Sequence, residues 1–435
     1  MAAHIEIGVV TARRGADINR SMIGVIRKQW LALVFAGFGV WTMVYLGLYG
    51  FAWTDYDFEV TPAYDALVAG HVWRFLQLAP AYGGSLEMRA PFALLPSLWG
   101  GGEQAVYQAV GIPCLIAGAL LGVWLYARLR DAGASRLARW TALGLCAANP
   151  ITMYACEIGH PEELLGGVLC VVAVLAAQRG RWVWAALALG LAIANKEWAL
   201  LAVGPVLLAL PAHRWRALVT AGATAAVFYL PLLIAQLGSH GAFTSLSASS
   251  TGGIFQPWQI WWFLGATGHV VRDSSGLVLI GYRVPPSWLS SFVHPLIVLL
   301  GLPLTLLAGY RARRVGGADA LLLLAALLLL RCDLDPWDNV YYLLPFIISL
   351  VAWEAVRRSR PPFWGLLATL MTWVVFEALP TNTSADMRST VFLAASLPAL
   401  AALALALWRP GQSSPLATRV HAIVSAPRTA AQIGE

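Results

Sequence analysis

The stretch WVWAALALGLAIANKEWALLAVGPVLLAL, Trp182 to Leu210, decides how this chain is laid out. As one helix of about 29 residues it crosses a bilayer with Asn195, Lys196 and Glu197 near the hydrocarbon midplane. It then delivers Arg214 and Arg216 to the side opposite Arg179 and Arg181. As two short helices turning at Asn195-Lys196-Glu197-Trp198, it returns to the side on which it began. The second reading keeps the arginines together, as the cytoplasmic preference of basic loops requires. Each arm is about 13 residues, too short for the full hydrocarbon thickness, so the turn lies below the outer surface. A charge held there is costly unless it lines a wet cavity.

The same parity runs outward in both directions. Apolar runs of spanning length recur from Gln29 to Trp408, separated by loops of alternating character. One set is arginine-rich: Arg13, Arg14, Arg20, Arg27 and Lys28, then Arg128 to Arg139, Arg179 and Arg181, Arg214 and Arg216, Arg311 to Arg314, and Arg357 to Arg360. The other set carries Asp55, Asp57, Glu59, Asp65, Glu157, Glu162, Glu163, Glu197, Asp333, Asp335 and Asp338. The acidic loops are therefore expected outside, at the periplasmic or exterior face, with both termini in the cytoplasm.

Composition agrees. An apolar fraction of 59% against 12% charged residues excludes a disordered chain and fits a polytopic membrane protein. The net charge of +7 does not point to nucleic acid, because the arginines are dispersed over separate loops. Five cysteines are too scattered for a disulfide framework. The first long apolar run, from about Trp30 to Trp53, is too long for a cleavable signal, so it is read as a span. The only lysines are Lys28 and Lys196. That bias fits a GC-rich bacterial genome and makes the outward Lys196 conspicuous.

The expected architecture is all-α and polytopic, with about 12 transmembrane helices. Residues 1–28 form a cytoplasmic segment, 29–408 the membrane domain, and 409–435 a Ser/Pro/Ala-rich tail expected to be disordered. Two long outer loops interrupt the spans, 54–104 and 237–292. The first is rich in Trp, Tyr, Phe and Pro and is read as amphipathic helices lying on the outer leaflet.

Several constellations on the acidic side can carry chemistry. Asp55 and Asp57 follow the first span, where a carboxylate at the rim of a wet cavity can act as general base. Two residues apart, they do not aim at one point, so one of them at most is the base. Capping aspartates in a solvated loop are the bland alternative. His160-Pro161-Glu162-Glu163 has the order of a helix start and offers His160 and Glu163 as polar contacts to a ligand. A metal there needs further ligands, and none is expected. Lys196 can bind phosphate as a point charge, or form a salt bridge with Glu197 or another carboxylate. Arg331 stands near Asp333, Asp335 and Asp338, with Tyr341 and Tyr342 following. In the second outer loop Arg283 lies among Trp258, Trp261 and Trp262, residues that anchor at interfaces or stack on sugars. No phosphate loop, dinucleotide fingerprint, serine elbow or zinc-protease motif is present, so nucleotide-driven chemistry has no support.

An aspartate soon after the first span, a long outer loop, short paired helices around a lysine and many spans resemble the GT-C superfamily of polytopic glycosyltransferases. The chain is most similar to the polyprenol-phosphate-mannose-dependent alpha-1,2-mannosyltransferase group, glycosyltransferase family 87. The residues that carry the resemblance are Asp57-Phe58-Glu59-Val60, Tyr64 to Gly70, and Pro91-Phe92. Thr61 stands where that family has Tyr. The resemblance implies inverting transfer of a sugar, mannose by analogy, from a polyprenyl-phosphate donor to a lipid- or glycan-linked acceptor. By matching position Asp57 deprotonates the acceptor, with Asp55 the second candidate. Lys196, Arg283 or Arg331 stabilises the departing lipid phosphate. His160, Glu163, Trp258, Asp338 and Tyr342 are the residues expected to contact substrate. No cofactor is called for; the partners are donor, acceptor and membrane lipids. The rival class is a transporter or flippase, in which buried charges mark a permeation path. The little-elaborated cytoplasmic side argues against it, and no clean internal repeat is visible.

Overall fold

The computed structural model describes residues 29–49, 55–80, 82–237, 254–268, 270–272, 278–315, 319–358, 360–379 and 383–408. The expected cytoplasmic segment 1–28, the tail 409–435 and residues 238–253 of the second outer loop lie outside these.

The described chain is helical almost throughout. Helix α1 (Gln29–Leu46) leads into a one-turn π-helix (Tyr56–Val60) and three short helices, α2 (Thr61–Val68), α3 (Val72–Leu78) and α4 (Gly83–Ala93). Then come α5 (Glu103–Asp131), α6 (Arg136–Ala147), α7 (Pro150–Ile158), α8 (Glu162–Gln178) and α9 (Trp182–Asn195). A 3₁₀ turn (Glu197–Ala202) runs into α10 (Val203–Ala209), followed by α11 (Arg214–Gln236). The last part holds α12 (Leu289–Val315), α13 (Ala320–Leu334), a 3₁₀ turn (Val340–Leu343), α14 (Leu344–Arg358), α15 (Phe363–Trp373) and α16 (Ala385–Trp408). Among the described residues, six helices are long and apolar enough to cross a membrane: Gln29–Leu46, Glu103–Asp131, Arg214–Gln236, Phe292–Ala312, Val340–Arg357 and Ala385–Trp408.

Sequence pattern explains which helices take the centre. In α13 the run Ala-Leu-Leu-Leu-Leu-Ala-Ala-Leu-Leu-Leu-Leu is apolar all round, and nearly every residue of the helix is buried. The segment through α14 is 83% buried, whereas α12 and α16 bury 17% of theirs. α8, α13 and α14 thus form a central stack, and α1, α11, α12 and α16 face outward. Asn149 breaks α6 from α7 by accepting from the Ile151 N–H at 2.9 Å, with Pro150 filling the first turn.

The Trp182–Leu210 stretch is a hairpin. Lys196 is extended (φ −156°, ψ 138°) and ends α9, and the chain then comes back through the 3₁₀ turn and α10. The return is shown at the base, where the Trp182 and His213 rings are 5.6 Å apart. Neither arm has spanning length, so the tip is held inside the bundle by α8 on one side and α11 on the other.

Two details of the outer segments differ from the surface helices expected for 54–104 and the loop expected for 237–292. In α4, Gly83, Gly84, Ser85, Leu86, Arg89 and Ala93 are buried, so this helix is wedged into the bundle rather than laid on a leaflet. The reason is local: Gly84 lets its backbone meet α9, because a Cβ there is only 2.3 Å from the Ala194 carbonyl oxygen. Within 237–292, a small antiparallel ribbon pairs β1 (Val271–Arg272) with β2 (Val278–Leu279). Gly84→Ala is accordingly expected to lower the unfolding temperature of the detergent-solubilised protein, at an overpacking cost of about 1–3 kcal/mol. Gly37→Ala, inside α1 and with nothing within 4 Å of its Cβ, is the control that does not lower it. Identical melting of the two variants would contradict the wedge.

Candidate functional site

At the end of the bundle opposite the arginine-rich turns, the last turn of α13 and five further elements bring charged and aromatic side chains to one place. The five are the residue before the π-helix, the start of α4, the start of α8, the hairpin tip and the turn before α14. Glu162 and Glu163 open α8, where the positive end of the helix favours carboxylates. Both are buried. Lys196 reaches both from the hairpin tip, its Nζ 3.2 Å from Glu162 Oε1 and 3.2 Å from Glu163 Oε1. Glu162 also takes Arg89 from α4 at 3.3 Å. Glu163 has Arg331 of α13 at 3.7 Å and accepts from the Trp198 indole N–H at 3.3 Å. Aromatic faces complete the walls. The Lys196 ammonium lies 4.3 Å from the Tyr82 ring centre, and the Arg331 guanidinium 4.2 Å from that of Tyr342 and 5.0 Å from that of Trp198.

Asn195 anchors this geometry. Its amide donates to the Glu162 carbonyl at 2.9 Å and its Oδ1 accepts from the Ser85 hydroxyl at 2.8 Å, tying hairpin, α8 and α4 together. His160 is placed by the residue before it. Gly159 has φ +114° and approaches Tyr56 so closely that a Cβ would be 2.6 Å from the Tyr56 nitrogen. That contact brings His160 beside Asp55, Nε2 to Oδ2 at 3.2 Å, while Nδ1 is 2.7 Å from Glu162 Oε1. Burial and the Lys196 ammonium push the imidazole pKa down, but the Glu162 carboxylate and the Asp55 hydrogen bond outweigh them and raise it to about 9.

The structure divides the residues singled out in the sequence. Asp55, His160, Glu163, Lys196, Arg331 and Tyr342 meet in the cluster. Asp57 does not: it is exposed and its neighbour is Glu103 at the start of α5, so partial burial and that carboxylate raise its pKa. Lys196 pairs with Glu162 and Glu163; the adjacent Glu197 is exposed. Arg283 is elsewhere, paired at 3.0 Å with Asp386 and close to the Trp262 and Phe263 rings. Trp258 stacks on Phe376, 4.3 Å between ring centres, outside the cluster. Asp338 is fully buried with no hydrogen bond to either carboxylate oxygen. Burial, then the nearby Asp335, raises its pKa well above the ordinary range. Among the described residues no three His, Cys, Asp or Glu side chains are arranged to hold a metal ion.

Sequence reading missed Arg89, Tyr82, Ser85 and the structural part of Asn195. A signal for Arg89 was present, since it is a basic residue on the acidic side of the charge pattern, as Lys196 and Arg331 are. Comparison with protein-family models, curated proteins and solved structures finds no match to this chain.

The arrangement is a desolvated set of three cations, Arg89, Lys196 and Arg331, facing two buried carboxylates, with a third carboxylate, Asp55, at its rim. An anion that displaces a carboxylate from these cations can be bound here, and the rim carboxylate can accept a proton. Removing Lys196 leaves both glutamates underpaired, so Lys196→Met is expected to destabilise the protein by about 3–5 kcal/mol, with part of the loss recovered when Glu163→Gln is added. Thermal melts of the four combinations measure this; additive effects would place the two residues out of contact. The pH response has a definite sign. Because the folded pKa of His160 lies above its ordinary 6.5, its contribution to stability is complete below about pH 6.5 and is lost as pH rises through about 9. The melting temperature of the parent should fall over that window more steeply than that of His160→Gln.

Proposed function

We propose that this chain is a GT-C-type membrane glycosyltransferase of about 12 spans, with both termini in the cytoplasm and the charged cluster facing the exterior. It transfers a sugar, mannose by analogy with the family it resembles, from a polyprenyl phosphate to a lipid- or glycan-linked acceptor. The observation that carries the reading is Asp55, a partly exposed carboxylate at the mouth of a buried cluster holding Lys196, Arg89 and Arg331. In this scheme an acceptor hydroxyl gives its proton to Asp55 as its oxygen attacks the anomeric carbon. The bond from that carbon to the phosphate oxygen breaks, and the electron pair leaves with the lipid phosphate. Lys196, aided by Arg331, takes up the charge developing on that oxygen. Tyr82, Tyr341, Tyr342 and Trp198 supply flat faces for a sugar ring. Asp55 replaces Asp57 as the first choice of base, because Asp57 faces Glu103 and not the cations.

Purified protein given labelled polyprenyl-phosphate mannose and an acceptor lipid extract is expected to form a labelled product. Asp55→Asn should slow turnover by about 100-fold or more while Asp57→Asn is milder. Movement of labelled lipid between leaflets with no new glycosidic bond would identify a flippase instead. Orientation has its own test. All five cysteines are buried, so single cysteines can be read against a quiet background. An impermeant thiol reagent should label Ser97→Cys in intact cells and leave Ser135→Cys unlabelled; the opposite result would reverse the sidedness.

A further inference from the structure

We propose that His160 is the positioning residue for Asp55, a proton-carrying clamp that fixes one carboxylate oxygen and leaves the other to the ligand. The inference rests on the reading of Asp55 as the group that meets substrate. Among the described residues, the contacts to the Asp55 carboxylate fall on Oδ2: His160 Nε2 at 3.2 Å and the Tyr341 hydroxyl at 3.5 Å. Two acceptors 3.2 Å apart repel unless a proton lies between them, so Nε2 carries one. The other ring nitrogen is 2.7 Å from Glu162 Oε1, a carboxylate held by Arg89 and Lys196, and donates to it. The imidazole is thus doubly protonated and bound at both ends, one end deep in the bundle and the other at the rim.

Every group facing His160 fits this role. Tyr82 from the start of α4 meets its ring edge-on at 5.7 Å, and Tyr341 packs at 4.4 Å. Both rings hold the plane of the imidazole without competing for its protons. Lys196 Nζ is 3.4 Å from Nδ1, yet both are donors, so they share Glu162 Oε1 and do not bond each other. That shared oxygen ties the clamp to the cation cluster. A base fixed through Oδ2 presents Oδ1 to the acceptor hydroxyl in one orientation, which is what a transfer with defined stereochemistry needs.

The test reads the imidazole directly. In protein labelled with ¹⁵N-histidine, the resonance lost in His160→Gln is expected to titrate well above the ordinary histidine range. Asp55→Asn should lower its midpoint by about one unit or more, while Tyr341→Phe leaves it nearly in place. Asp55 is at the rim, so its variant tests the clamp even if His160→Gln fails to fold, the resonance then being found by its shift. A His160 that titrates normally, or a midpoint unmoved by Asp55→Asn, overturns the proposal. In the transfer assay, turnover of the parent should fall as pH rises through that midpoint, and His160→Gln should lack this limb and lose kcat more than KM for the acceptor. A shifted, Asp55-dependent titration in a protein that transfers no sugar retains the clamp and removes the glycosyltransferase.

Discussion

A single ammonium inside the bundle governs this structure. Lys196 terminates α9 at the tip of a hairpin too short to reach the far surface, and a charge held there without partners is prohibitively costly. It is tolerated because α8 begins at the same depth with two adjacent glutamates, each 3.2 Å from Nζ. Those carboxylates in turn need cations, which come from Arg89 of α4 and Arg331 of α13. The wedge of α4, the Asn195 cross-link and the depth of the hairpin are therefore parts of one electrostatic solution. None can be moved without leaving a buried charge unpaired.

The cluster also shows how stability and chemistry share residues. Arg89, Lys196 and Arg331 are each held by a buried glutamate, and the same cations are the groups an incoming anion would have to recruit. Arg283 makes the contrast clear. It is bound by Asp386, a residue half exposed at the start of α16, in a separate patch packed against Trp262. A pair with one half-exposed partner is reached by solvent and screened by salt more than a fully buried one. The buried cluster is screened far less, and its field is directed by fixed geometry.

Apolar space is arranged separately. A cavity of about 340 Å³ lies among α13, α14, α15 and α16, lined by Leu329, Phe346, Leu350, Phe376, Phe392 and Leu403. Leu329 and Arg331 are two residues apart on α13, so they look to nearly opposite sides of the helix. The greasy cavity and the charged cluster are therefore divided by the central stack, and the chemistry argued above belongs to the cluster alone.

The sequence by itself determined the helical, membrane-type architecture, because runs of apolar residues at spanning length permit little else. It also determined the break at Lys196, since the arginine parity and the two short arms demanded a turn, and it offered His160, Glu163, Lys196, Arg331 and Tyr342 among its candidate site residues. Tertiary structure alone decided which of them meet. Asp55 and Asp57 are indistinguishable in composition, and the choice fell to Gly159, whose close approach to Tyr56 brings Asp55 to His160 while Asp57 turns to Glu103. Arg89 lay in a segment read as surface helices until Gly84 let α4 into the bundle, and Arg283 looked like a site residue until Asp386, 103 positions away, proved to be its partner. Such pairings depend on backbone approaches between segments distant in the chain, and a local pattern of residues carries no record of them.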